Sequence, residues 1–489
     1  MSETVAVLSW PDRVVELCDQ LRQIAGDTPM YLVGGAVRDA YRRAEITDID
    51  IAVDGDAPKL AKRVSQCFGA DSYVMDWDRG VARVFLKSDT GAILLDFACF
   101  RGGDLLSDLR DRDFTMNAMA ADLHGDIRTL YDPLKGTSDL RQKVLRRCSP
   151  RSIADDPIRA LRAIRQSVQF DLKIHPDTAA DVRSQANNLR RTSPERIRDE
   201  LFKLFALDKP ARGLRVMGHL GVLPHVLPTV AELASADARP PGTMNAWTKT
   251  LAVVERMRAI LLAISSRRSD NTAAAFDLGM LVMQLDRYRA DLQAHLARVY
   301  GNGREHAQLL VLAAAIHALD GSGADAGGDS GSARRVATVA KALVLTVDEG
   351  RRLSQIIVNY RQIVVKQSWS TLDQHRFWHR LGDGGIDAIL LAAACVLGEA
   401  RSGLRQADWL QFVDRAALLL DTFYNRYEEV VDPPPMLDGR DVQDLLGIGP
   451  GPPVGRMLKK LREAQATGMI KSVSEAGEFV LRSAEPYSG

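Results

Sequence analysis

Neither end of this 489-residue chain carries an apolar run of about 18 residues, the length a helix needs to cross a bilayer, so no membrane anchor is read there. The first twenty residues, MSETVAVLSWPDRVVELCDQ, include acids and show no basic leader ahead of an apolar stretch, so they do not read as a signal peptide. The expected location is the cytosol. Cysteine is scarce: Cys18, Cys67, Cys99, Cys148 and Cys395 lie far apart, with no CxxC pair. An odd, scattered set argues against a disulfide framework or a zinc site and predicts reduced core thiols. No GxxxxGK[ST] occurs, which excludes a P-loop NTPase, and there is no HExxH and no repeat at a solenoid period. Net charge is also nearly absent, at +1 from 64 basic and 63 acidic residues. Evenly spread, that balance would exclude a protein with a strong field for nucleic acid.

The charge is not evenly spread. Between Arg141 and Arg215, eighteen Lys and Arg stand against nine Asp and Glu, in a stretch of helical period. Such a strip can present arginines to phosphates, or it can be a solvated helical face. A hydrophobic fraction of 46% with 26% charged residues is that of a soluble globular chain, and the length calls for three or four packed units.

Periodicity divides the chain into an α+β head and an all-α remainder. MYLVGGAVRDAYRR reads as strand, glycine turn and helix start; DIDIAV alternates as a half-exposed strand does. VARVFLKS and AILLDFACF are two further strands joined by SDTG, which has hairpin composition. After about Gly136 strand signals largely stop. SPERIRDELFKLF opens with Ser193 as N-cap and Pro194 in the first turn. Gly321 to Arg334 is expected to be a mobile low-complexity loop, and Pro433 to Pro435 mark a linker into a last unit. The expected domains are 1–140, 141–232, 233–430 and 431–489.

The strongest local clue is Asp48 with Asp50, because residues i and i+2 of a strand point to one face. Two carboxylates that meet suit Mg²⁺, a hard cation that leaves its other positions to water and phosphates. A lone DxD is also a common solvated strand edge. Upstream, Gly34 and Gly35 end a strand where the backbone could approach a triphosphate and the helix N-terminus offers free amides, with Arg38 on the first turn; an ordinary tight turn reads the same way. Asp96 interrupts the apolar strand LLDFACF, so it needs a partner: a metal, an arginine or a backbone donor.

VGGAVRD, then DIDIAV, DLRDRDFTMNAMA (Asp108 to Ala120), ADDPIRALRAIR (Ala154 to Arg165) and PERIRDEL (Pro194 to Leu201) form an ordered series that resembles the class II tRNA nucleotidyltransferase and poly(A) polymerase family. The resemblance is strong over residues 28 to 230, returns in the tail DGRDVQDLLGIGPGPPVGRMLKKLREAQATGMI, and is weak between. It implies a small palm-like nucleotidyltransferase head with a mixed β-sheet, then an all-α neck, body and tail. It also implies an enzyme that adds C and A residues to the 3′ end of tRNA from CTP and ATP, releasing pyrophosphate.

The site residues follow from the same motifs. The resemblance implies that Asp48 and Asp50 bind the catalytic Mg²⁺ ions; Asp96, by its own place in the strand, is a third candidate ligand against a structural hydrogen-bonding role. Gly35 and Arg38 would hold the triphosphate, and Arg112 the nucleotide; the alternative for Arg112 is an ion pair with a neighbouring aspartate. Asp156 and Arg159 would read the Watson–Crick edge of the incoming base. Chemically this works: a carboxylate accepts from the exocyclic amino group that C and A possess and U lacks, while arginine donates to ring acceptors. Spacings of three would place Asp156, Arg159, Arg162 and Arg165 on one helical stripe, the last two facing phosphates or primer. Asp155 stands where the family has Glu. Some members carry an HD phosphohydrolase domain in the middle; here LLVLAAAIHALDG follows His317 with Ala318, so no active phosphohydrolase is expected. His375 and His379 read as surface or packing residues. The implied partners are the tRNA 3′ end, CTP and ATP, with no membrane and no protein partner. A CC-only or A-only enzyme, a bacterial poly(A) polymerase and an inactive tRNA-binding homologue are the alternatives.

Overall fold

The alternating segments of the first 122 residues form one six-stranded sheet in the computed structural model, which describes residues 7–87, 92–235, 245–266, 276–301, 303–320, 328–399 and 406–483. The elements are α1 (Asp12–Ala25), β1 (Met30–Val33), α2 (Gly35–Arg42), β2 (Asp48–Val53), α3 (Ala57–Phe68), β3 (Asp71–Asp76), β4 (Val81–Leu86), β5 (Ile93–Cys99), α4 (Leu105–Arg110) and β6 (Ala120–Asp122). The strand order is β3-β4-β5-β2-β1-β6. Only β2 and β5 run parallel; the other neighbours are antiparallel, giving the expected mixed sheet. Because β2 lies inside the sheet, Ile49, Ile51, Ala52 and Val53 are all buried, and its second half is a core strand rather than a half-exposed one. β4 and β5 pair in the expected hairpin register from Val81↔Ala98 to Leu86↔Ile93; the SDTG turn lies outside the described residues.

α1 places Val14, Leu17, Cys18 and Leu21 on one stripe, and α3 does the same with Leu60, Ala61 and Val64. Both stripes join Leu32, Ile51, Val84, Leu95 and Phe97 in one apolar cluster. Each large side chain so buried stabilises the head by about 1.5–3 kcal/mol. α3 starts where Asp56 accepts from the amide of Lys59, and ends at Gly69 in the left-handed conformation.

Five helices follow: α5 (Gly136–Arg141), α6 (Ser152–Asp155), α7 (Ile158–Gln169), α8 (Pro176–Gln185) and α9 (Pro194–Phe205). The Ser193 hydroxyl accepts from the amide of Arg196 as a cap should. Strand does not vanish after Gly136, since Val144–Leu145 pairs in parallel with Lys173–Ile174. The helical stripe needs a correction at its head. Asp156 is extended, at φ −142° and ψ 96°, and α7 begins only at Ile158. The cause is Pro157, whose ring disfavours the helical conformation in the residue before it.

The chain divides into two compact units, residues 1–200 with 219–226, and 201–218 with 227–489. Described helices build most of the second unit, and among the described residues no single helix is long and apolar enough to cross a membrane. Its last segment has its own apolar cluster, including Leu437, Val442, Met457, Leu461 and Val480. The low-complexity stretch departs from expectation: Gly328 onward belongs to the helix Gly328–Ala342, while 321–327 lie outside the described residues. His375 is buried, with Nδ1 2.7 Å from the Val430 carbonyl oxygen, and its ring stacks on exposed His379. Both act in packing, as expected. None of the cysteines forms a disulfide, but Cys67 is exposed, so the core-thiol expectation fails for it.

Candidate active site

β1 delivers the chain into a turn that only glycine tolerates. Gly34 has φ +72°, and a Cβ there would lie 2.5 Å from Oδ2 of Asp50. The amide of Gly35, at the start of α2, points to the same oxygen at 3.4 Å. The glycine turn and the DxD strand therefore form a single unit, with β1 paired to β2 and Val33 opposite Asp50. Burial raises the pKa of Asp50; Arg112 opposes the rise, while Asp96 and Asp48 reinforce it. A carboxylate surrounded this way is short of positive charge.

Asp96 enters through strand register. In the parallel pair β2–β5 it stands beside Asp50, and in the antiparallel pair β4–β5 it stands beside Arg83. Arg83 donates to both carboxylate oxygens at 2.6 Å. The partner demanded by a carboxylate in an apolar strand is thus an arginine, a residue that drew no attention in the sequence.

Arg38 is 9% exposed and fully engaged: it donates to Asn117 Oδ1 at 2.6 Å and to both oxygens of Asp39, and its guanidinium lies 4.3 Å from the Phe170 ring centroid. Arg112 pairs with Asp108 at 3.0 Å, the ion pair weighed above, while its Nη1 faces Gly34. α7 carries the remaining arginines. Arg159 donates to the carbonyl oxygens of Ser152 at 2.9 Å and Asp111 at 2.7 Å, and burial lowers its pKa. Arg162 binds Asp113, and Arg165 binds Glu200 at 2.6 Å and Gln169 at 2.6 Å. Asp156, ahead of the helix, accepts from Arg196 at 2.8 Å. Asp155 pairs with Arg151 instead.

These side chains converge. Gly35, Arg38, Asp48, Asp50, Asp96, Arg112, Asp156, Arg159, Arg162 and Arg165 all line one cleft of about 490 Å³, a volume suited to a small ligand. Asp113, Asn117 and Gln166 complete its floor: Asn117 donates to Asp113 and to Gln166, and Asp113 accepts from Arg162. Asp113 and Asn117 lie inside the RDFTMNA motif, but their roles depend on contacts more than forty residues away, which spacing does not reveal. Arg79 and Arg101 also reach the cleft and carried no sequence signal. The donor set of Asp48 and Asp50, two hard carboxylates on one rigid strand with burial raising the pKa of Asp50, fits a divalent cation.

A mixed sheet that presents paired carboxylates beside a glycine turn, under an arginine-bearing helix, defines a nucleotidyltransferase head. Residues 30–146 match the model of the poly A polymerase head domain, and residues 171–233 match that of a probable RNA and SrmB-binding site of polymerase A. The chain is 30% identical over 459 residues to a CC-adding tRNA nucleotidyltransferase of Geobacter sulfurreducens, covering 92% of this chain and 91% of that protein. It is 30% identical over 466 residues to an A-adding tRNA nucleotidyltransferase of Deinococcus radiodurans, covering 94% and 96%. A solved CCA-adding enzyme in apo form shares the fold, with a TM-score of 0.63 at 21% identity over 98% of this chain and 96% of that one. The chain belongs to the tRNA nucleotidyltransferase family.

Proposed function

We propose that this protein adds C and A residues to the 3′ end of tRNA, using CTP and ATP with Mg²⁺, in the cytoplasm. The observation that carries the reading is the shared cleft: the carboxylates suited to metal, Asp48 and Asp50, and the pair suited to base reading, Asp156 and Arg159, line the same cleft. Asp48 and Asp50 would hold Mg²⁺. When bound, the cation supplies charge neutralisation for the attacking hydroxyl and the leaving pyrophosphate. The primer 3′-hydroxyl attacks the α-phosphate, and pyrophosphate departs with no covalent enzyme intermediate. Gly35, Arg38 and Arg112 would position the triphosphate. Asp156 would accept from the exocyclic amino group of C or A, and Arg159 would donate to ring acceptors. Arg162, through Asp113, holds α7 against the head, and Arg165, through Glu200, holds it against α9, so that this reading edge stays in place.

The test is to incubate the full chain and Mg²⁺ with tRNA lacking CCA, lacking the final A, or complete, supplying each nucleoside triphosphate separately, and to sequence the 3′ ends. No incorporation of CTP or ATP by folded protein would refute the reading. Long A tails on complete tRNA would identify a poly(A) polymerase. A second reading, addition of CC alone or of A alone, is favoured by the one-step names of the two relatives above. Products that stop at CC, or activity only on tRNA ending in CC, would establish it.

A further inference from the structure

The second unit holds a cluster of metal-ligating side chains that the proposed chemistry does not use. His295 ends the helix Arg289–Leu296, His306 begins the helix His306–Ile316, and Asp387 lies in the helix Gly384–Glu399. All three are buried, Asp387 completely. Nε2 of His295 is 2.7 Å from Oδ1 of Asp387, and Nε2 of His306 is 2.8 Å from Oδ2. The candidate ligand atoms of the three residues all fall within 4.8 Å of one another.

Neutral imidazoles satisfy this cluster poorly. If each imidazole donates from Nε2 to Asp387, each Nδ1 becomes an acceptor. His306 Nδ1 then has the Tyr300 hydroxyl at 2.9 Å, but His295 Nδ1 is buried with no hydrogen-bond partner, and the oxygen it faces, Oδ2 of Asp383 at 3.9 Å, is itself an acceptor. Arg352 Nη1, 3.6 Å from Asp387, is likewise buried without a hydrogen-bond partner. With the protons on Nδ1, His295 would face Asp383 and His306 the Tyr300 oxygen, the outer partners that a metal-bound histidine takes. The two Nε2 lone pairs and an Asp387 oxygen would then converge with nothing between them but a cation.

We propose that His295, His306 and Asp387 form a buried site for a divalent transition cation of the zinc class. Two imidazoles and one carboxylate are the donor set of such ions, unlike the all-oxygen pair Asp48 and Asp50. Zinc–nitrogen bonds of about 2.0–2.1 Å separate tetrahedral ligands by about 3.3 Å, so each histidine–Asp387 contact lengthens by about half an ångström to accept the ion. Charge also balances: a divalent ion, the Asp387 carboxylate and an anionic fourth ligand such as hydroxide sum to zero with neutral imidazoles. Arg352 Nη1 can donate to that fourth ligand. With its ligands on three helices and no exposed face, the site is structural, a crosslink within the helical body.

The experiment uses the full chain without a histidine tag. Elemental analysis of purified protein is expected to find one equivalent of zinc, and Co²⁺ added to chelator-treated protein is expected to give the visible absorption of a tetrahedral site, saturating at one equivalent. Chelation is expected to lower Tm by several degrees, with recovery on adding Zn²⁺. Asp387→Asn and His306→Gln should lose the Co²⁺ band, whereas Asp48→Ala with Asp50→Ala should keep it, which separates this site from the catalytic one. Wild-type protein that is metal-free as purified and shows no Co²⁺ band would overturn the proposal, whatever the variants do.

Discussion

Arg162 places Nε and Nη2 on one oxygen of Asp113, at 2.9 and 2.7 Å, and so fastens α7 to the RDFTMNA segment. Asp113 is 7% exposed and also accepts from Asn117 and the Phe114 amide. Burial opposes its charge, but Arg162 and these donors outweigh burial and hold its pKa well below the ordinary carboxylate range. A depressed carboxylate pKa contributes stability above the unfolded value, near 3.8, and loses it as pH falls toward the folded value. Asp113→Asn should therefore cost about 3 kcal/mol at pH 7, the low end for breaking a buried pair because Arg162 keeps Glu200 nearby. The deficit should shrink below about pH 4. Urea unfolding at both pH values checks this; an undiminished deficit in acid would contradict it.

Gly34→Ala tests the close approach of β1 to β2. A left-handed φ costs a non-glycine residue about 1–3 kcal/mol, and the new methyl would displace the Asp50 carboxylate. Misplacing a catalytic group by about 1 Å can cost about 100-fold, so kcat/KM for nucleotide addition should fall by about that factor while the protein stays folded. Full activity with an unchanged Tm would show that the turn has no bearing on Asp50.

Asp48→Ala with Asp50→Ala should remove addition almost entirely. Metal-ion charge stabilisation is worth several kcal/mol, or about 1,000-fold in rate. On the proposed function, tRNA would be held mainly by its phosphates away from these carboxylates, so its binding should change little. Primer extension and filter binding on the same preparation separate the two, and retained extension would refute the metal role.

Asp156→Ala should blur base choice more than it slows chemistry. A good base-edge contact discriminates by about 1–3 kcal/mol, so the preference for CTP and ATP over UTP should drop by about 10–100-fold in kcat/KM ratios. Equal losses for all three triphosphates would mean that Asp156 acts by holding Arg196 instead.

Much of the site was legible because its motifs are local. Asp48 and Asp50 share a face by strand period alone, and the glycine turn follows a strand that the pattern reveals. The partner of Asp96 was not legible. The apolar strand around it announces only that the charge needs compensation, whereas Arg83 is supplied by the register of the β4–β5 hairpin. The reading of ADDPIRALRAIR as one continuous stripe missed the effect of Pro157, which was visible, and so placed Asp156 on the helix rather than before it. The local excess of basic residues was a poor guide to free arginines because opposite charges pair at short range: in the basic stretch, Arg162 and Arg165 are bound by Asp113 and Glu200.

By itself the sequence determined the α+β head, the helical remainder and many of the residues around the cleft, since period, capping and motif order are properties of neighbouring residues. Tertiary structure alone decided which of those residues are partners. Hydrogen bonds and ion pairs act over about 3 Å, so whether Arg159 faces a base or a carbonyl, or whether two histidines converge on Asp387, depends on how helices and strands far apart in the chain are brought together.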